Sequence, residues 1–375
     1  VRSLVVLGTC ALSLGGCRAF DREQYRALID GGLTVDAPVP EQDASEPDAG
    51  SCLPPSGRDE AGCALASAPV APPSLTDQPG DGRTYTLALS RIEIGPGSFG
   101  NWRQIGFDRD GRCSSIDAPS MSLSCRGMQA VLDGDDGRDN ALGAVLGTSL
   151  FVMDTLRDGT VTESLATGRL THGLRVTDWS GGDDARVRVE WLSLVEGRPP
   201  SGSTMLVGDG RDSWRIEPSL SLTDDRSAAR TVADSAFVAC GVFAFRLAGA
   251  LQLTLPSRDR TRILQLRNIV AAGALSPERG GTLDLSGVWH RDQLIAALPW
   301  FDVCTTRASD PVEYQNRMTA LLRSMDLRDP PSSDPNDNCN AATVAIRMTF
   351  VPARFDGVAA QPIVLRHVCT GDGGA

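Results

Sequence analysis

Apolar and polar residues alternate along most of the chain beyond residue 84, the period of a β-strand with one buried face. Residues 84–94 (TYTLALSRIEI) open the series and residues 102–107 read as their partner. Residues 174–177 and 185–194 alternate on either side of a WSGGDD turn, as the two arms of a hairpin do. Further strands are expected at 214–222, 236–247, 250–255, 263–274, 282–289 and 343–351, with Gly280 and Gly281 turning the chain into the segment at 282. Helical spacing interrupts the pattern at four places. Residues 140–156 carry apolar positions three and four apart, with Asp139 as the expected cap. Thr160 to Glu163 has the form of a capping box that opens a second helix. A short helix at 292–298 ends at Pro299, and a longer one at 311–325 puts Met318, Leu321, Leu322 and Met325 on one face. Many short strands with few helices predict a mainly β fold, specifically an antiparallel β-sandwich with a few inserted helices.

The first 83 residues follow other rules. Residues 4–14 are apolar, long enough for a signal sequence and too short to span a bilayer. They lead into Leu14-Gly15-Gly16-Cys17, which resembles a bacterial lipobox. That resemblance implies a signal peptide at 1–16 and a lipid-modified Cys17 that holds the chain to a membrane. An ordinary cleaved signal followed by an incidental Cys is the alternative. Arg18 stands where an Asp would favour inner-membrane retention, so an outer membrane lipoprotein is expected, facing the periplasm or the cell surface. Residues 36–82 hold nine Pro and nine acidic residues against one Arg, with no apolar period. Such a segment buries too little to offset its ordering entropy. The expected division is a signal at 1–16, an anchor and disordered acidic tether at 17–83, and a β-rich globular body at 84–375.

Composition narrows the chemistry. The tether carries most of the net charge of −11, so the body is close to neutral. A near-neutral body without a basic cluster argues against nucleic acid as a partner. The 36 basic residues are all Arg. The absence of Lys excludes a Lys-dependent phosphate loop, Schiff-base chemistry and an SxxK hydrolase.

Of ten Cys, Cys10 lies in the signal and Cys17 in the lipobox. Eight remain: Cys52, Cys63, Cys113, Cys125, Cys240, Cys304, Cys339 and Cys369. An even number in an exported chain reads as disulfides. Proximity suggests Cys52 with Cys63, Cys113 with Cys125, Cys304 with Cys339 and Cys240 with Cys369, although sequence alone leaves every pairing open. With three His and no CxxC, a zinc site is not expected.

Two acidic loops are the candidate chemistry. Asp108 and Asp110 flank Arg109 ahead of Gly111, and Asp133, Asp135 and Asp139 belong to DGDDGRDN before an expected helix. Alternating Asp with Gly is how a loop wraps oxygen ligands around Ca²⁺. It is also plain turn chemistry, since Asp and Gly favour turns on their own account. A third acidic turn at 178–184 contains Trp179, which reads either as a sugar-stacking platform or as a partly buried turn residue. Searches for catalysis return little. Residues 95–100 match GxGxxG, but the strand expected after them denies a dinucleotide its helix N-terminus. His172 with scattered Asp and Ser specifies no triad, and His290 and His367 read as capping or lining residues.

The lipobox, the acidic Pro-rich tether, IGFDRDGRC and DGDDGRDNALG together resemble a group of myxobacterial surface lipoproteins. The segment THGLRVTDWSGGDDARVRVEWL is similar to their strand–turn–strand unit, with Trp179-Ser180-Gly181 where Tyr-Asn-Gly is usual. Residues 114 and 115 are Ser where the group has a further Cys. The resemblance covers about residues 84–300 and implies surface localisation and a boundary near 84, without an activity. Together these readings lead to a non-enzymatic surface binding or adhesion module, engaging a glycan or an envelope protein. A structural or assembly protein of the envelope is the alternative, and a secreted-type hydrolase ranks below both.

Overall fold

The chain divides after Pro47, and every described residue belongs to the second unit, Asp48–Ala375. The structure, a computed structural model, describes residues 57–58, 63–94, 101–114, 125–127, 131–144, 158–201, 203, 205–257, 260–301, 311–331, 334 and 336–365. Cys17 and residues 95–100 lie outside this set, as do Cys52, Cys304, Cys369 and His367.

The described residues form ten strands: β1 Tyr85–Glu93, β2 Leu170–Thr177, β3 Asp184–Arg198, β4 Ser213–Ile216, β5 Thr231–Ala239, β6 Val242–Ser257, β7 Arg260–Ser276, β8 Gly280–His290, β9 Ala341–Pro352 and β10 Arg354–Val358. They form one sheet in the order β10-β4-β3-β2-β1-β9-β8-β7-β6-β5, and β3 also pairs with β5. That last pairing closes eight antiparallel strands into a barrel. The expected sandwich is therefore wrong. Sandwich and barrel strands share the same alternation, so the difference lies in one non-local pairing. At 15 residues β3 is long enough for two partners on one edge. Asp184 to Trp191 pairs with β5, and Leu194 to Arg198 pairs with β4. β4 and its parallel partner β10 thus leave the ring.

The interior is filled by side chains, as expected for a barrel of eight strands. Leu87, Val189, Trp191, Phe243, Phe245 and Phe350 are among the buried residues of one continuous core. At one end Trp179 is 1% exposed. Its ring lies 5.3 Å from that of Phe243 and 6.1 Å from that of Tyr85, and its Nε1 donates to the Gly182 carbonyl at 2.8 Å. It plugs the barrel and offers no platform to a sugar.

Toward the other end, β6 and β7 run on beyond their neighbours. β5 pairs with β6 only up to Ala244, and β8 pairs with β7 only from Arg267. The rest of the hairpin, Ala250–Ser257 with Arg260–Arg267, pairs with itself. Its residues Leu251, Leu253, Leu255, Leu264 and Leu266 join the barrel core. A register shift between Leu247 and Ala250 marks where the ribbon departs. There Thr254 meets the buried His172.

Among the described residues five short helices decorate the barrel: α1 Ala141–Ala144, α2 Asp158–Ala166, α3 Pro218–Ser221, α4 Arg291–Ala297 and α5 Pro311–Arg323. None of the described helices is long and apolar enough to cross a membrane. Asn140, not Asp139, caps α1, its Oδ1 accepting from Gly143 N at 3.0 Å. The helix expected over 140–156 is described only for these first residues. α2 begins two residues before the expected capping box. α4 and α5 start within a residue of their expected positions.

Three strand expectations also change. Residues 101–104 form a 3₁₀ helix rather than a strand beside β1. The segment 236–247 is two strands, because Cys240 and Gly241 both adopt left-handed φ (55° and 73°) and make a two-residue hairpin turn. Pro218 ends β4 and starts α3, so 214–222 is not one strand.

The expected tether also yields ground. Residues 63–83 run along the barrel as a strap. Ala66 N donates to Asp136 O at 2.7 Å, and Asp108 N donates to Ala66 O at 2.9 Å. Ala68 and Leu75 pack over an apolar outer patch that includes Phe107, Phe237 and Val270. The strap's Cys63 is bonded to Cys113. The second described disulfide joins Cys125 to Cys339. Neither is a pair that proximity suggested: the nearest cysteine in sequence belongs to a different element in space. Cys240 is also disulfide-bonded.

Candidate metal centre

The two acidic loops meet against the outer face of β9. The loop after the 3₁₀ helix carries Asp108 and Asp110, and the loop before α1 carries Asp133 and Asp139. Both are fixed by backbone demands. Asp108 Oδ1 accepts from Gly111 N at 2.9 Å, and Asp110 Oδ1 from Arg112 N at 2.9 Å. These side-chain turns hold the first loop in a tight coil. In the second, Asp136 and Gly137 are both left-handed (φ 56° and 66°), which turns the chain back on itself.

Asp108, Asp110 and Asp139 each bring a carboxylate oxygen within 4.8 Å of the others. Two oxygens bound to one Ca²⁺ at about 2.4 Å lie no more than about 4.8 Å apart, and each pair among the three meets that condition. Asp139 is 4% exposed and accepts from Arg109 N at 2.6 Å. Asp133 adjoins it through a side-chain hydrogen bond. Ser114 N donates to Asp133 Oδ2 at 2.5 Å. Asp135 does not join the group: it is exposed and pairs with Arg103 at 3.1 Å.

A further carboxylate comes from the loop after α5. Asp326 accepts from Thr343 N at 2.8 Å and from Thr343 Oγ1 at 2.5 Å. The same hydroxyl accepts from Ala141 N at 3.0 Å. Asp326 lies far from the two loops in sequence, in a segment without any Asp–Gly alternation, so no local pattern points to it.

Crowding shows in the proton affinities. Burial pushes Asp139 well above the usual carboxylate range, and Asp110, Asp133 and Asp326 push it further. Burial raises Asp133 to about 6 and Asp326 to about 7, and raises Asp108 as well. Like charges in a low-dielectric site favour either shared protons or a bound cation. Arg109 is the cation beside them, but its Nη2 is committed to the Asn268 carbonyl at 2.6 Å.

No protein-family model, curated protein or solved structure matches this chain. The chemistry of the centre therefore has to come from its own atoms. They are all oxygen donors, which suit a hard ion such as Ca²⁺ and not zinc or copper.

The remaining candidates take structural positions. His172 is fully buried between Trp191 Nε1, 3.1 Å from Nδ1, and the Thr254 carbonyl, 3.0 Å from Nε2. An indole can only donate, so Nδ1 must accept and Nε2 carries the proton. His290 Nδ1 accepts from Asp292 N and caps α4. In the third acidic turn, Asp184 is buried and accepts from Arg186 N and Gln78 N, tying the turn to the strap.

Proposed function

We propose that the body is a non-enzymatic binding or adhesion module of the cell envelope, completed by Ca²⁺ held by Asp108, Asp110 and Asp139, with Asp133 adjoining. In this reading the chain is an outer-membrane lipoprotein attached through Cys17. The observation that carries the proposal is the convergence of those carboxylates from two loops. The ion would join the 108–110 loop to the 133–139 loop, both of which touch the strap. Two further features fit a module that acts through its surface. The barrel interior is occupied by side chains, and the buried His172 has both ring nitrogens engaged in the core.

Melting of the full chain, unreduced, in chelator and then in millimolar Ca²⁺ tests the metal. At 100 times Kd, binding adds about 2.7 kcal/mol and raises the melting temperature visibly. Asp139→Asn should abolish that rise while leaving the chelated protein at least as stable, because it removes one crowded charge. A Ca²⁺ response that survives in Asp139→Asn removes the centre. Adhesion is tested separately by retention of the Ca²⁺-loaded chain on envelope fractions, where no retention on any fraction would overturn the module reading.

A further inference from the structure

We propose that the Cys63–Cys113 disulfide is a redox latch: without it the remaining contacts do not hold the strap on the barrel, and its reduction by a dithiol would turn residues 63–83 into additional tether without opening the barrel. Residues 63–83 contain four Pro and two Gly and few large apolar residues, a composition with little to bury. Only Leu65 among them is an apolar side chain buried in the core sense, at 6% exposed. Ala68 and Leu75 are partly buried. Described backbone bonds from strap to body are few and sit at two places. One lies beside the latch, at Ala66. The other is at Thr76, whose carbonyl accepts from Ala185 N at 3.0 Å, next to the Gln78 N bond to Asp184 Oδ1.

Ordering some twenty backbone residues costs more than such contacts return. The covalent bond changes that balance. The strap continues into β1 at Tyr85, so with Cys63 bonded to Cys113 both of its ends are fixed. Part of the entropy of docking is then already lost before any contact forms.

Burial decides which bond a reductant reaches. Cys63 and Cys113 are each partly exposed. In the Cys125–Cys339 bond Cys125 is 2% exposed, so only the partly exposed Cys339 side offers a sulfur to a reductant, against both sides of the strap's bond. Attack by a thiolate requires access to a sulfur. The reaction balances as a dithiol plus the protein disulfide giving two protein thiols and the oxidised dithiol. The freed segment could extend by up to about 70 Å. It would also uncover the patch around Phe107, Phe237 and Val270.

The experiment is hydrogen exchange with mass-tagged thiol mapping on the folded full chain during stepwise addition of dithiothreitol. The expected first event tags Cys63 and Cys113 while Cys125 and Cys339 stay untagged. Amide exchange in 64–83 then rises to the rate of an unstructured peptide while β1 to β9 keep their protection. The double variant Cys63→Ser with Cys113→Ser should show the same exchange without reductant. A strap that stays protected after its disulfide is reduced overturns the proposal. So does reduction of Cys125–Cys339 at the same step, or loss of barrel protection together with the strap.

Discussion

His172 shows how much one buried group can govern. Its burial holds the imidazole down to about 4, against about 6.5 in an unfolded chain. Above pH 6.5 both states are neutral and the folded state keeps its full stability. As pH falls from 6.5 toward 4, only the unfolded chain takes up the proton, so stability drops, by about 3 kcal/mol across the window. A proton on Nδ1 would also oppose the Trp191 N–H. His172→Gln offers an acceptor to that indole without a titration, so the gap between variant and wild-type melting temperatures should narrow steadily from pH 7 to 4. A constant gap would show that His172 does not set the acid sensitivity. The raised carboxylates have the opposite sign. Asp133 and Asp326 stabilise the metal-free fold below about pH 4, and that contribution fades as pH rises through about 6 and 7. Of these residues the sequence displayed Asp108, Asp110, Asp133 and Asp139, because alternation with Gly is local. It hid Asp326, and it could not show that Asp135 would turn outward to Arg103.

At the scale of elements, strands were readable wherever one face is buried and the neighbours are turns. Residues 84–94 and 263–274 lie almost fully within β1 and β7. The failures share a cause: burial imposed from outside the local segment. Ile105 and Phe107 are buried because their loop lies on the barrel wall, which imitates the alternation of a strand. Cys240-Gly241 is too apolar a stretch to announce a turn, yet its left-handed φ values make one. The disulfides follow the same logic, since pairing is decided by which loops the barrel brings together. Cys125–Cys339 closes a separation of 214 residues, worth about 5 kcal/mol on the chain-entropy model. Its removal by Cys125→Ser with Cys339→Ser should lower denaturant stability by several kcal/mol and weaken Ca²⁺ binding, because Asp326 and the acidic loops lose a covalent link. Unchanged Ca²⁺ affinity in that variant would show that the centre is organised without it.

For the whole molecule, ring closure is the decisive event, and it rests on β3 meeting β5. The pairing Val187↔Ala236 sits in the middle of it. Ala236→Pro should remove a ladder bond from a strand with partners on both sides, and calorimetry should find a loss of about 1–3 kcal/mol, the cost of a buried backbone group left unpaired. A loss well below that would mean the ring tolerates a gap there. Closure also has a consequence for many copies held side by side. Open sheets offer unpaired backbone along their rims, and crowded rims recruit one another into fibres. Eight of these strands have no rim to offer along their paired lengths. What is left over is the outer ribbon of β6 and β7 and, outside the ring, β10, five residues long, bearing exposed Arg354 and Asp356 and kinked at Gly357 (φ 84°). Replacing Arg354 and Asp356 together by Val should make light scattering grow with concentration and time. The native charges would then be the reason a dense field of these barrels stays a field of separate barrels.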